Sequence, residues 1–153
     1  MSEFRVLVVD DEDDFRETFV KRLGKRDLDV TGVGSGEKAL ELLNKQLFDV
    51  VILDVKMPGM DGVDVLREMK IKRPLMEVIM LTGHASVESG IEGMKLGAFD
   101  YIMKPADLDE LLEKMRKAYE KKAIHEEKIR QAKIKELKVH PSMVFEQIKE
   151  EER

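Results

Sequence analysis

Three short runs of this chain are apolar without a break: Val6-Leu7-Val8-Val9, Val50-Val51-Ile52-Leu53 and Val78-Ile79-Met80-Leu81. A strand with one wet face alternates apolar and polar residues. A run that does not alternate has to be covered on both faces, which is the situation of a strand inside a parallel sheet. Two mixed segments extend the set, Leu28-Asp29-Val30-Thr31-Gly32-Val33 and Phe99-Asp100-Tyr101-Ile102-Met103. Between these runs, apolar residues recur at helical spacing: Phe15, Phe19 and Leu23; Ala39, Leu40, Leu43 and Leu47; Val65, Leu66 and Met69; Val87, Ile91 and Met94. Each stripe fits one face of a helix. Ser35 is placed to cap the second helix, and Gly24, Gly83 and Gly97 punctuate element ends.

Strand and helix therefore alternate five times with short connections. That order predicts an α/β fold, a right-handed doubly wound parallel sheet with helices on both faces. Five strands point to the flavodoxin-like order 2-1-3-4-5. The last helix should be extended. Asp107 is a good N-cap with Glu110 three residues on, and nothing breaks the helix before His140-Pro141. About 30 residues at ~1.5 Å each reach roughly 45 Å, against ~20 Å for a strand. Leu108, Leu111, Leu112, Met115, Ala118 and Tyr119 can cover the sheet. Beyond them Ile124, Ile129, Ile134 and Leu137 recur too irregularly for a good heptad. The expected division is a domain over residues 1–120 and a helical extension with a polar tail over 121–153.

The 153 residues carry a net charge of -5 and include no cysteine. Disulfides and thiolate metal sites are excluded, and a reducing cytoplasm is the expected location. No run approaches the ~18 apolar residues of a membrane span. The acidity is uneven: residues 1–119 hold 18 Lys and Arg against 24 Asp and Glu, whereas residues 120–153 hold 9 against 8.

Ligands of such sheets bind outside the carboxyl ends of the strands. The run Asp10-Asp11-Glu12-Asp13-Asp14 follows the first strand, Asp54 the third, Thr82 the fourth and Lys104-Pro105 the fifth. Strands 1 and 3 are neighbours in the expected order, so Asp10, Asp11 and Asp54 share a crevice. Two unit charges ~4 Å apart repel by roughly 4 kcal/mol at an effective dielectric of 20. Carboxylates so close take up protons or hold a cation. Oxygen-only donors select a hard ion such as Mg²⁺, which usually pairs with a phosphate. Thr82 adds a hydroxyl donor and Lys104 a compact positive charge, so the four strand ends together suit phosphoryl transfer. Any one of these residues alone reads more simply as a cap, a turn former or a surface group.

The text at those strand ends resembles the receiver domain of bacterial two-component response regulators. It is carried by Val8-Val9-Asp10-Asp11-Glu12, by Leu53-Asp54-Val55-Lys56-Met57-Pro58-Gly59-Met60-Asp61-Gly62, by Leu81-Thr82-Gly83-His84 and by Phe99-Asp100-Tyr101-Ile102-Met103-Lys104-Pro105. The resemblance covers residues 4 to about 120. It implies that Asp54 accepts a phosphoryl group from a sensor histidine kinase. It implies that Asp11, Asp54 and the Lys56 backbone carbonyl hold Mg²⁺ directly, with Asp10 acting through water. Lys104 would pair with the phosphoryl group ahead of a cis bond to Pro105. Thr82 would hydrogen-bond the phosphoryl oxygen, and Tyr101 would be the aromatic switch. Lys56 and His84 would tune how long the phosphoryl group survives.

Rival chemistries fit less well. An aspartate-nucleophile phosphatase needs an acid two residues after its nucleophile, and Lys56 stands there. A flavin site disfavours acids after the first strand, and a P-loop is absent. The expectation is a phosphorylation-dependent switch rather than an enzyme. Its output is open: a stand-alone regulator, a receiver cut from a larger DNA-binding transcription activator, or a phosphorelay intermediate whose helical tail is the partner-binding output. Direct DNA binding by this chain and a membrane partner are not expected. An unidentified downstream protein and a homodimer through the fifth helix are. A small apolar group, Val139, Met143, Val144, Phe145 and Ile148, follows or flanks Pro141.

Overall fold

The uninterrupted apolar runs become strands whose alternate side chains enter two different cores. The structure, a computed structural model, describes residues 3–83 and 87–139. Its strands are β1 (Arg5–Val9), β2 (Asp29–Val33), β3 (Val50–Leu53), β4 (Glu77–Thr82) and β5 (Asp100–Met103). They pair in parallel in the order β2-β1-β3-β4-β5, as expected. The helices are α1 (Asp13–Gly24), α2 (Gly36–Leu43), α3 (Gly62–Lys72), α4 (Val87–Lys95) and α5 (Leu108–Val139). Leu7, Val9, Val51, Leu53, Val78 and Met80 pack with Ala39, Leu43, Val65, Leu66 and Met69 of α2 and α3. Their sequence neighbours Val6, Val8, Val50, Ile52, Ile79 and Leu81 pack with Phe19 and Leu23 of α1 and Leu111, Leu112, Met115 and Ala118 of α5. Period-2 alternation thus sends successive residues of one run to opposite faces, both dry.

Local caps behave as their residue types require. Lys38 N donates to Ser35 Oγ at 3.2 Å, and Val63 N to Asp61 Oδ1 at 3.2 Å. Asp109 N donates to Asp107 Oδ1 at 3.0 Å, opening α5. These side chains satisfy donors that the first helical turn leaves without a partner.

Two apolar stripes do not face the core as their spacing implied. In α4, Ile91 and Met94 are 53% and 48% exposed. The packed face of α4 is Gly90 and Gly93. A Cβ on Gly90 would stand 3.3 Å from the Tyr101 ring, and one on Gly93 2.5 Å from Met80 Sδ. The helix lies so close to β4 and β5 that a side chain at either glycine would crowd these neighbours, and the apolar stripe turns outward. Leu47 is exposed while Phe48 is buried, because α2 has ended at Leu43 and helical spacing no longer sets the face.

Helix α5 runs 32 residues, about 48 Å at ~1.5 Å per residue. Its first half is clamped to the sheet. Tyr119 stacks on Phe4 with centroids 4.9 Å apart, Lys121 Nζ is 3.6 Å from the buried Glu77, and Lys122 Nζ is 2.9 Å from Asp49. Beyond, Ile124, Ile129, Ile134 and Leu137 are exposed. Among the described residues, no helix is long and apolar enough to cross a membrane. The group at 143–148 lies outside the described residues.

Candidate functional site

The sheet itself sets the site residues in place. Backbone pairing continues one step past the strands: Asp10 N donates to Val33 O at 3.2 Å, Asp54 N to Val9 O at 2.9 Å, and Lys104 N to Thr82 O at 2.8 Å. Each residue is therefore held by the adjacent strand, not by a mobile loop. Asp10, Asp54 and Thr82 are buried, although their side chains are polar.

Burial forces these groups to partner one another. Lys104 Nζ lies 2.7 Å from Asp10 Oδ2 and 3.9 Å from both Asp54 Oδ2 and Glu12 Oε1. It also sits 3.9 Å from the centroid of the Phe15 ring. The Thr82 hydroxyl donates to the Asp54 carboxylate, and Lys56 N approaches Asp54 Oδ1 at 3.4 Å. Glu12 N donates to Asp10 Oδ1 at 2.9 Å. Arg16 closes the loop from behind: Nη1 donates to Asp10 O at 2.8 Å and Nη2 is 2.8 Å from Asp13 Oδ1. Its side chain passes so near Gly34 that a Cβ there would meet Nη1 at 2.9 Å.

The Asp54 carboxyl is held above the ordinary carboxylate range. Burial contributes most and the neighbouring Asp10 charge adds to it; Lys104, the Thr82 hydroxyl and the Lys56 amide oppose the rise. Such a group gains from any additional positive charge near it.

Carboxylate oxygens of Asp10, Glu12 and Asp54 lie within 4.8 Å of one another. Three convergent oxygen donors fit a hard divalent cation. Asp11 is half-buried in the same loop and is not one of these three. Glu12 is the third carboxylate of that group, and nothing in its sequence context distinguishes it from the other acids of the run. Tyr101 is half-buried, with its ring against Gly90 of α4. The Lys104-Pro105 bond is cis. His84 lies outside the described residues.

A family model for the response regulator receiver domain matches residues 6–116. The chain belongs to the response regulator receiver domain family. Over 107 residues this receiver is 40% identical to the regulatory protein AtoC of Escherichia coli K12, covering 70% of the chain and 23% of AtoC. Over 113 residues it is 39% identical to the transcriptional regulatory protein ZraR of the same organism, covering 74% and 26%. The receiver thus spans about a quarter of the length of these relatives. Among solved structures it is similar to a CheY-like receiver domain protein from Methanospirillum hungatei JF-1, with TM-score 0.78, 30% identity and coverage of 81% and 99%. It is also similar to NtrX from Brucella abortus, with TM-score 0.78, 30% identity and coverage of 87% and 31%.

Proposed function

We propose that this receiver accepts a phosphoryl group on Asp54 from a phosphohistidine of a sensor kinase. The observation that carries this reading is the convergence on Asp54 of the Thr82 hydroxyl and the Lys104 ammonium beside a second buried carboxylate. An Asp54 oxygen attacks phosphorus, the P–N bond breaks with its electron pair passing to nitrogen, and the histidine, already protonated on its other ring nitrogen, leaves as a neutral imidazole. Lys104 exchanges its Asp10 contact for a phosphoryl oxygen. Thr82 turns its hydroxyl from the carboxylate to the phosphoryl group, and Tyr101 follows the space that Thr82 vacates. Lys56 and His84 tune how long the phosphoryl group survives. Asp11, Asp54 and the Lys56 carbonyl would hold Mg²⁺ directly, with Asp10 acting through water and Glu12 within the same acidic group. The ion supplies positive charge that offsets the carboxylates and the phosphoryl oxygens.

The chain acts as a cytoplasmic switch rather than an enzyme, with residues 1–120 as receiver and 121–153 as extension. Its relatives named as regulators of transcription support an output through DNA-binding parts that a longer chain would carry. The exposed isoleucines of α5 favour a second contribution, a homodimer through that helix. Light scattering with and without a phosphoryl mimic tests the dimer; a monomer in both states removes it.

The central test is incubation with acetyl phosphate and Mg²⁺, read by intact mass. One phosphoryl group is expected on the wild type and none on Asp54→Asn. An unmodified wild type overturns the reading.

A further inference from the structure

Phe15 is the third residue of α1 and reads in the sequence as a core position spaced four from Phe19. Its surroundings make a second demand on it. The ring stacks on Phe19, with centroids 5.4 Å apart and planes 14° off parallel, and Phe19 is buried between sheet, α1 and α5. The ring is thereby held in one orientation. On it rests the Lys104 ammonium, 3.9 Å from the centroid, and the Lys104 side chain is only 13% exposed.

Among the described residues, the ion-pair partners of that ammonium are three carboxylates: Asp10 at 2.7 Å, Asp54 and Glu12 at 3.9 Å. A leucine at position 15 would satisfy the apolar packing. It would offer no negative quadrupole to a largely desolvated cation, whereas an aromatic face attracts such a charge. The attraction also differs in kind from a salt bridge. A carboxylate draws an N–H along a lone pair, but a ring face holds the charge without taking one proton in one direction. An ammonium resting on a ring can trade one acceptor for another without leaving its seat.

We propose that Phe15 is a positioning residue for Lys104. Its ring holds the ammonium at the strand ends while the N–H bonds pass from Asp10 to a phosphoryl oxygen on Asp54. This rests on the reading of Lys104 as the phosphoryl partner, and the experiment has two arms to separate the two ideas. The first uses the unphosphorylated, metal-free protein and reads the Lys104 Hε resonances by NMR. A ring-current upfield shift is expected in the wild type and in Phe15→Tyr, and its loss in Phe15→Leu. The second arm follows acetyl phosphate-dependent phosphorylation with Mg²⁺ saturating. Phe15→Leu should lower the limiting rate about two- to thirtyfold, the scale of one cation–π contact, with the half-saturating acetyl phosphate concentration unchanged. Phe15→Tyr should restore the rate. Fluorinated phenylalanines at position 15, which keep the shape and drain the ring quadrupole, should lower it in step with fluorine number. A rate that ignores fluorination, or an adduct formed without any wild-type ring-current shift, overturns the role of Phe15 alone. The shift present with no adduct overturns the phosphoryl reading, and the positioning role with it.

Discussion

Lys104 reaches back across 94 residues of chain to place its ammonium 2.7 Å from Asp10 Oδ2, tying the end of β5 to the end of β1 with β3 and β4 between them. Asp10 is buried, so the ion pair is also what makes its charge tolerable. Lys104→Met should destabilise the metal-free protein by on the order of 1–3 kcal/mol, the scale of a charged hydrogen bond lost from a buried acceptor. Asp10→Asn in the same background should return part of that loss. Urea melts of the two single variants and the double variant give the coupling directly, and additivity would deny the pairing.

Asp54 binds a proton more tightly folded than unfolded, because burial and Asp10 raise it above 3.8. Between 3.8 and the raised value the native state therefore carries more protons than the unfolded state. By linkage, this group's contribution to stability falls as pH rises through that window and is level above it. Asp54→Asn should match the wild type well below pH 3.8 and become the more stable protein above the window. The expected outcome in metal-free buffer is a higher Tm for Asp54→Asn above the window, read by differential scanning calorimetry across pH. A wild type that stays the more stable at neutral pH would contradict the cause assigned to the shift.

Gly62 is packed against backbone. A Cβ there would stand 2.6 Å from Asp54 O and from Val55 Cα and O. Main chain cannot step aside as a side chain can, so Gly62→Ala should cost about 3 kcal/mol and displace the loop beside Asp54. Chemical denaturation measures the loss. Amide shifts at Asp54 and Lys56 report the displacement.

The two faces of α4 should respond unequally to substitution. Ile91→Ser removes an exposed apolar group and should leave stability within about 0.5 kcal/mol. Gly93→Val drives a branched side chain into Met80 and should cost about 1–3 kcal/mol. Paired thermal melts decide it, and the reverse ranking would place the core on the other side of the helix.

The charged helix beyond Tyr119 makes a separate case. Ile129→Gln and Ile134→Gln should leave the melting of the domain within about 0.5 kcal/mol, since both residues are exposed. Any dimer held by α5 should weaken in the same variants, read by sedimentation.

Much of the fold is legible in the order of residues alone. Uninterrupted runs such as Val6-Leu7-Val8-Val9 require strands covered on both faces, and their alternation with helical stripes requires a parallel sheet. Acids, Thr82 and Lys104 at four strand ends require a shared polar site, because parallel strands all end on one side. The long α5 follows from the lack of any breaker before Pro141. Such features are encoded locally, by period and by chain grammar. Other features depend on which atoms meet when the layers close. Glycine carries no hydropathy, so the packed face of α4 at Gly90 and Gly93 leaves no apolar signature. Five acids in a row look alike, and only the loop geometry brings Glu12, not Asp11, within 4.8 Å of Asp10 and Asp54. Phe15 is visible as core but not as the seat of Lys104. The sequence pattern states how much of a side chain must be buried; which charge rests on it is settled by contacts between elements far apart in the chain.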